Sequence, residues 1–514
     1  MKVGKGAAGV LLDRSGGSVE AVCAIARREA TVSVDSDAIS GIDAAYACLV
    51  RHAAQGEAIY GVSTGLGAAV DTRIDPAEGS GQSAIARPRA VGVGRFAEVA
   101  EVRAMMASRL ARFCLGYSGV SSPVALTLAE MLNRGIHPRV PMTGSIGEAD
   151  LAPLAHIALT MTGEGVVLSG EGKLQSGAEA FASAGLDLPV FGIKDGLSLI
   201  SSNAASVGLA CLLLEDIGYV FDAHVGAVAL SFEGFRASID PLHPLSDRLR
   251  PGPCQGEVAA AIRALLEGGD LVAGKGARRL QDPLSLRCAP AVSGTALHAF
   301  RAAVAATELE LRSSDDNPSV IADQDIVLPT GNFDPTHMVL AFDTLGLALA
   351  RLAAMAAERM MKLLSPGFSD LPRFLAPAQS GANGFGALQK TIAALTAEIG
   401  HLAMPMPFVV TPVADRVEDY ASMSMSVIDK TRQLVAKWRY MTAIELIVAA
   451  RAVDLREGIV LGHGAQSLFE NIRAIVPPLV ADRSSSDDIH ALADAIETAR
   501  LLPPQAPGNA TAQL

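Results

Sequence analysis

Residues 142–156 read Met-Thr-Gly-Ser-Ile-Gly-Glu-Ala-Asp-Leu-Ala-Pro-Leu-Ala-His, a Gly/Ser turn that carries two carboxylates, Glu148 and Asp150, into an apolar segment. Glycine permits the dihedrals of a tight loop, Asp150 can cap the helix that follows, and Pro153 is tolerated in its first turn. A carboxylate held there sits at the positive end of a helix dipole and can serve as acid, base or amine anchor. A plain connecting turn has the same composition. Other polar islands interrupt apolar sequence. Tyr60 heads Tyr60-Gly61-Val62-Ser63-Thr64-Gly65-Leu66-Gly67, and Ser198, Ser201, Ser202 and Asn203 stand where a helix should be apolar. Gln281-Asp282-Pro283-Leu284-Ser285-Leu286-Arg287-Cys288 places an arginine among core residues, and Arg312-Ser313-Ser314-Asp315-Asp316-Asn317-Pro318 ends a helix in a polar knot. Thr330-Gly331-Asn332-Phe333 and Arg416-Val417-Glu418-Asp419-Tyr420 complete the set. A buried charge must be paired or must bind something, so islands that converge would make a site. Taken singly, each also fits a helix cap or a buried ion pair.

Several chemistries are disfavoured. Ten histidines lack HxH or HExxH spacing and six cysteines lack a CxxC pair, so no metal site is expected. His156, on an apolar helix, reads as a satisfied core histidine. No GxSxG elbow, P-loop or GxGxxG after a strand appears. The formal net charge of −12 argues against nucleic acid and anionic membranes as partners. Residues 1–22 carry charges and no sustained apolar stretch, and the scattered thiols suit a reducing compartment, so a cytoplasmic protein is expected. The uncharged run 196–214 approaches membrane-spanning length, but its serines suit a buried helix lining a polar cavity better.

The elements that must position these residues are mainly α-helical. Half of the residues are hydrophobic and only 4% aromatic, so the core is built from Ala, Leu, Val, Ile and Met, which suits close-packed helices. Apolar spacing predicts helices over 42–54, 98–134 with a break at Gly116 and Gly119, 151–163, 204–232, 256–267, 295–312, 336–364, 385–402 and 427–456. The Gly-rich segment 58–84, with Pro76 and Gly79, reads as a lid or binding loop, and 166–188 as the only plausible sheet. Helices apolar on every face, such as 341–353, must be buried on every face, which predicts a homo-oligomer. The expected division is an N-terminal region 1–195, a helical bundle 196–502 and a disordered tail 503–514.

In order, these islands resemble the histidine and phenylalanine ammonia-lyase superfamily along nearly the whole chain. The matches are the Tyr60 loop, Gly116-Tyr117-Ser118-Gly119-Val120, Gly144-Ser145-Ile146-Gly147, Asp150-Leu151-Ala152-Pro153-Leu154-Ala155-His156, Lys194-Asp195-Gly196-Leu197, Gln281-Asp282-Pro283, Ser285-Leu286-Arg287-Cys288, Asp316-Asn317-Pro318, Gly331-Asn332-Phe333 and Glu418-Asp419. The resemblance implies a mainly α-helical homotetramer with active sites built from several subunits, removing an amine and a β-proton from an amino acid or shifting the amine. It implies Tyr60 as the lid base and Arg287 as the carboxylate grip, with Gln281, Phe333 and Glu418 lining the pocket.

The chain departs from that family at its electrophile. The family's methylidene-imidazolone ring forms from an Ala-Ser-Gly triad; here Gly147-Glu148-Ala149 or Glu148-Ala149-Asp150 stands in its place, with no central serine to dehydrate. No ring cofactor is therefore expected. Ser201 replaces an asparagine, Leu284 a tyrosine and Arg312 an asparagine, and Arg89 falls where the family selects the substrate side chain. Two readings follow. One is a carbon–nitrogen lyase acting without the ring through Tyr60, Arg287, Glu148 or Asp150, with Arg89 and Arg312 favouring an acidic substrate; in its plainer form the two arginines pair with neighbours such as Asp315 and Asp316. The other is a non-catalytic ligand-binding or regulatory relative. Survival of Tyr60 with its whole lid favours the lyase.

Overall fold

Helices begin in this chain where side chains satisfy the first free N–H groups. Ser18 Oγ accepts from Ala21 N at 3.1 Å ahead of helix Val19–Arg27, and Asp35 accepts from Asp37 N at 2.8 Å ahead of Ser36–Ala54. Glu98 and Glu101 form a reciprocal box at the start of Val99–Cys114. Ser122–Arg134 opens on Ser121, whose N–H and hydroxyl both donate to the Asp195 carboxylate at 2.7 Å, and ends at Gly135 in the left-handed region.

The computed structural model describes residues 9–28, 30–75, 80–168, 172–379, 381–407, 411–499 and 501. The expected tail 503–514 and Pro76 and Gly79 of the Gly-rich loop lie outside them. The fold is mainly α. Two compact units are each discontinuous in sequence. One comprises Met1–Leu213, Val304–Leu340 and Met406–Ile428, the other Leu214–Ala303, Ala341–Pro405 and Asp429–Leu514. A single boundary at 195/196 does not describe them, because the divisions fall inside the long helices Ala204–Phe235, Ala289–Leu311, Thr336–Leu363 and Ser424–Asp454.

In the first unit the expected sheet at 166–188 consists of strands Val166–Leu168 and Leu174–Ser176, antiparallel, followed by helix Gly177–Ser183. It has company. Val10–Leu12 pairs in parallel with Val32–Val34, Val93–Phe96 antiparallel with Pro141–Thr143, and Ser319–Ile321 antiparallel with Ile326–Leu328. Strands of three or four residues are too short for their alternation to stand out from sequence. The second unit buries the sole tryptophan, Trp438, with the His224 ring centroid 5.9 Å away. It also buries Arg359 against both oxygens of Glu445, at 2.5 and 2.9 Å, with Ser231 Oγ donating at 3.0 Å. A buried pair so fully bonded carries no stranded charge.

Among the described residues two stretches are long and apolar enough to cross a membrane, Asp195–Phe235, which is interrupted at residues 201–203, and Thr336–Leu363. The most apolar window of the first is 94% buried within the protein, which makes it core; that of the second is only 56% buried, and Leu340 and Leu347 stand exposed on it. All six cysteines are free thiols, four of them buried.

Candidate functional site

The first unit contains a cavity of ≈ 520 Å³ lined by Tyr60, Arg89, Glu148, Ser201, Phe333 and Glu418, together with Asn317, Asp419 and Tyr420. Its size suits one amino-acid-sized ligand. Tyr60 is held by a loop that satisfies its own backbone. Ser63 Oγ accepts from Ile59 N and donates to Glu57 O, at 2.8 and 2.7 Å, and Gly65 N donates to Thr72 O at 2.9 Å. Gln82 ties the loop to the next wall, donating to Gly61 O at 2.8 Å and accepting from Leu197 N at 3.1 Å. Gly61 is required: its φ is +68°, and a Cβ there would strike Leu197 and Leu66. The Gly67 N–H donates to the Tyr60 hydroxyl oxygen at 2.9 Å, where charge would develop if that oxygen gave up its proton.

The turn at 144–150 separates its two carboxylates. Glu148 faces the cavity; its Oε1 accepts from Ser422 N at 2.8 Å. Burial pushes its carboxyl up to about 7, the Ser422 N–H bond opposes that shift, and the charges of Asp334 and Glu418 add to it. Asp150 is fully buried and does not line the cavity. Ser145 Oγ donates to its Oδ1 at 2.7 Å, and Ser206 N and Oγ to its Oδ2 at 2.7 and 2.9 Å. Asp150 thus serves the first turn of Ala204–Phe235, and its side chain does not cap the helix Leu151–Met161 that it precedes. Burial pushes its carboxyl up against those donors. Gly147, at φ +89°, lets the chain pass Ser422, whose hydroxyl donates to Gly147 O at 2.9 Å; a Cβ would collide with that hydroxyl.

Behind the cavity wall the polar run 198–203 is mostly consumed by a buried charge network. Arg109 donates to Ser198 O at 2.8 Å, to Asp315 at 3.2 Å and to Asp316 at 2.8 Å. Arg112 bonds Asp315 and, at 3.3 Å, Glu310. Asp315 Oδ2 also accepts from Ser202 Oγ and Asn203 N, each at 2.7 Å, and Asn203 Nδ2 donates to Phe333 O. Lys194 lies buried 3.7 Å from Asp316, its ammonium lowered to about 8 by burial although Asp316 opposes the shift. Of this run only Ser201 lines the cavity, so the expected polar-lined helix is instead a break between Asp195–Ile200 and Ala204–Phe235. Arg109 and Arg112, buried one turn apart in Val99–Cys114, are the signal in the sequence that foretells such a network.

Arg89 and Arg312 part company. Arg89 lines the cavity, donates to Ile85 O at 2.9 Å, and is lowered by burial against the raising influence of Tyr60 and Glu418. Arg312 lies outside the cavity, half exposed, on Glu308 at 3.0 Å. Neither arginine takes Asp315 or Asp316, which belong to Arg109 and Arg112. Gln281, Leu284 and Arg287 are in the second unit and do not line this cavity; Arg287 donates to Gln281 Oε1 at 3.2 Å, and Leu284 is 65% exposed. His156 is not a satisfied core histidine: its Nε2 is buried with no hydrogen-bond partner among the described residues.

Positions 147–150 contain no serine, and the neighbouring Ser145 hydroxyl is committed to Asp150 while accepting from Gly147 N at 3.0 Å.

A family profile described as aromatic amino acid lyase matches residues 18–474. The chain is 35% identical over 496 residues to the histidine ammonia-lyase of Myxococcus xanthus strain DK1622, covering 96% of this chain and 97% of that protein. Among solved structures it is similar to the ergothioneine-degrading enzyme ergothionase of Treponema denticola, in complex with desmethyl-ergothioneine sulfonic acid, at TM-score 0.91 and 32% identity, covering 96% of this chain and 99% of that one. It is also similar to the tyrosine aminomutase of Streptomyces globisporus, at TM-score 0.90 and 30% identity over 97% and 100% of the two chains.

Proposed function

This chain belongs to the aromatic amino acid lyase family, and we propose that within it the chain is a carbon–nitrogen lyase that eliminates an amine without a methylidene-imidazolone ring. The observation that carries this reading is that Tyr60, on its Gly-rich loop, and Glu148, in the turn where the ring's precursor would stand, line one cavity. The Tyr60 phenolate takes the β-proton, the C–H electron pair becomes the second bond of a C=C, and the C–N pair departs with nitrogen. Gly67 N–H donates to the Tyr60 oxygen, Arg89 lines the same cavity, and the ionised Glu148 attracts the cationic nitrogen.

The charge of the lining favours a cationic leaving group over the acidic substrate that Arg89 and Arg312 suggested. Among the described residues Glu148, Glu418 and Asp419 line it against one cation, Arg89, and Arg312 is elsewhere. Such a wall suits a substrate whose leaving nitrogen is positively charged. A quaternary ammonium is already an adequate leaving group and has no need of an electrophilic ring. Ergothioneine, a trimethylammonium betaine with a thiol-bearing imidazole, combines that group with an acidic β-proton, and we take it as the first candidate. No metal enters this mechanism. The protein is read as a cytoplasmic homotetramer: the half-covered helix Thr336–Leu363 supplies an apolar face for association, and Arg287, with Gln281 and Leu284, completes a neighbouring copy's site by gripping the carboxylate.

A screen of ergothioneine, free histidine, aromatic amino acids and acidic amino acids for released trimethylamine or ammonia tests the reading. One amine and one unsaturated carboxylate per ergothioneine consumed is the expected result. Binding of these ligands with no amine released from any of them would instead establish the non-catalytic relative.

A further inference from the structure

At the root of the Tyr60 loop, on the helix Ser36–Ala54, Cys48 and His52 stand one turn apart and meet Asp325, which lies in the turn between strands Ser319–Ile321 and Ile326–Leu328. One thiol sulfur, one imidazole nitrogen and one carboxylate oxygen lie within 4.8 Å of one another. Cys48 Sγ is 3.4 Å from Asp325 Oδ1, and His52 Nε2 is 3.6 Å from the same oxygen. A tetrahedral ion bonded at about 2.0–2.3 Å holds its ligand atoms roughly 3.3–3.6 Å apart, so these two edges already have the required length. The other ring nitrogen of His52, Nδ1, is 2.8 Å from Glu57 Oε2. A carboxylate on the far nitrogen orients the ring, as outer partners of metal-bound histidines do, and Nε2, now 3.1 Å from Asp325 O, gives up that contact to the ion. Cys48 is buried while Asp325 is exposed, which leaves a coordination position open to solvent.

We propose that Cys48, His52 Nε2 and Asp325 form a binding site for a borderline divalent ion of the zinc class, with Glu57 orienting His52. The ligand set of thiolate, imidazole and carboxylate suits zinc and disfavours magnesium and calcium, which select oxygen. Binding displaces the thiol proton of Cys48 and the His52 Nε2 proton that faces Asp325 O, and both go to solvent. Arg51 competes: its guanidinium lies 2.8 Å from Asp325 Oδ1, but its side chain is 54% exposed and can turn into water when the ion arrives. The site lies beside the loop's anchorage, since Ile59 and Val62 pack in the same apolar cluster as Cys48, and Glu57 O accepts from Ser63 Oγ.

Cobalt(II) titration of the full-length protein, stripped of metal with chelator and kept reduced, tests the proposal directly. One equivalent should produce a near-ultraviolet thiolate-to-cobalt charge-transfer band, and zinc should displace it. Cys48→Ala should lose the band, Asp325→Asn, an exposed position that spares the core, should weaken binding at least tenfold, and Arg51→Ala should tighten it roughly two- to fivefold by removing the competitor. Absence of the band in the unaltered protein, or its persistence at full strength in both Cys48→Ala and Asp325→Asn, would overturn the site. Neither result depends on amine release, so failure here is distinguishable from failure of the lyase reading.

Discussion

Tyr60→Phe is expected to lower the turnover number for amine release by about 10²–10⁴-fold, the range that a positioned general base contributes, while ligand affinity stays within a few-fold of the unaltered protein. The geometry supports this division. The Tyr60 ring fills the cavity wall in either variant, so packing changes little, and only the oxygen that accepts from Gly67 N is lost. The loop keeps its bonds through Ser63, Gly65 and Gln82 when the Gly67 N–H loses the phenol oxygen, so the substitution should leave it in place. Single-turnover rates beside equilibrium binding measure the two quantities separately. Full activity in Tyr60→Phe would remove the base from the mechanism.

The second large effect concerns Glu148. Its carboxyl is pushed up to about 7, chiefly by burial with the charges of Asp334 and Glu418 adding to it. If the ionised form anchors a cationic nitrogen, kcat/KM rises with pH as this group loses its proton near pH 7, because that parameter reports the free enzyme. Glu148→Gln keeps the shape but not the charge; it should lower kcat/KM about 10- to 100-fold and erase the ascending limb. The stability effect has the opposite sign. A carboxyl raised from 4.5 keeps its proton in the folded protein after the unfolded chain has lost it, so its contribution to stability falls as pH rises from 4.5 to about 7. Denaturation midpoints across that window should fall less steeply in Glu148→Gln. An unchanged limb in the variant would assign the pH dependence to another group.

The fold, and the gathering of six expected residues in one cavity, can be traced to particular residues in the sequence. Tyr60, Arg89, Glu148, Ser201, Phe333 and Glu418 share one cavity, though they are spread over more than three hundred positions and only the order of the motifs joins them. Local chemistry could not sort Glu148 from Asp150. Both are carboxylates in the same turn, and what separates them is Ser206, 56 residues further on, whose N–H and hydroxyl claim Asp150. Arg312 ends a helix beside Asp315 and Asp316, yet those carboxylates turn inward to Arg109 and Arg112, leaving Arg312 on Glu308. Cys48 and His52 meet their third partner 277 residues from Cys48, a separation that no spacing rule covers. Local propensity and periodicity locate elements, whereas the partner of a polar side chain is decided by tertiary packing.

Elimination on this chain is proposed to need no covalent modification of residues 144–151. Its most direct test is the denatured-state mass of a preparation whose amine release has just been measured. The mass of the encoded sequence is expected, with peptides spanning residues 144–151 unmodified; a deficit of two waters in that segment would place a ring in the site and contradict ring-free elimination.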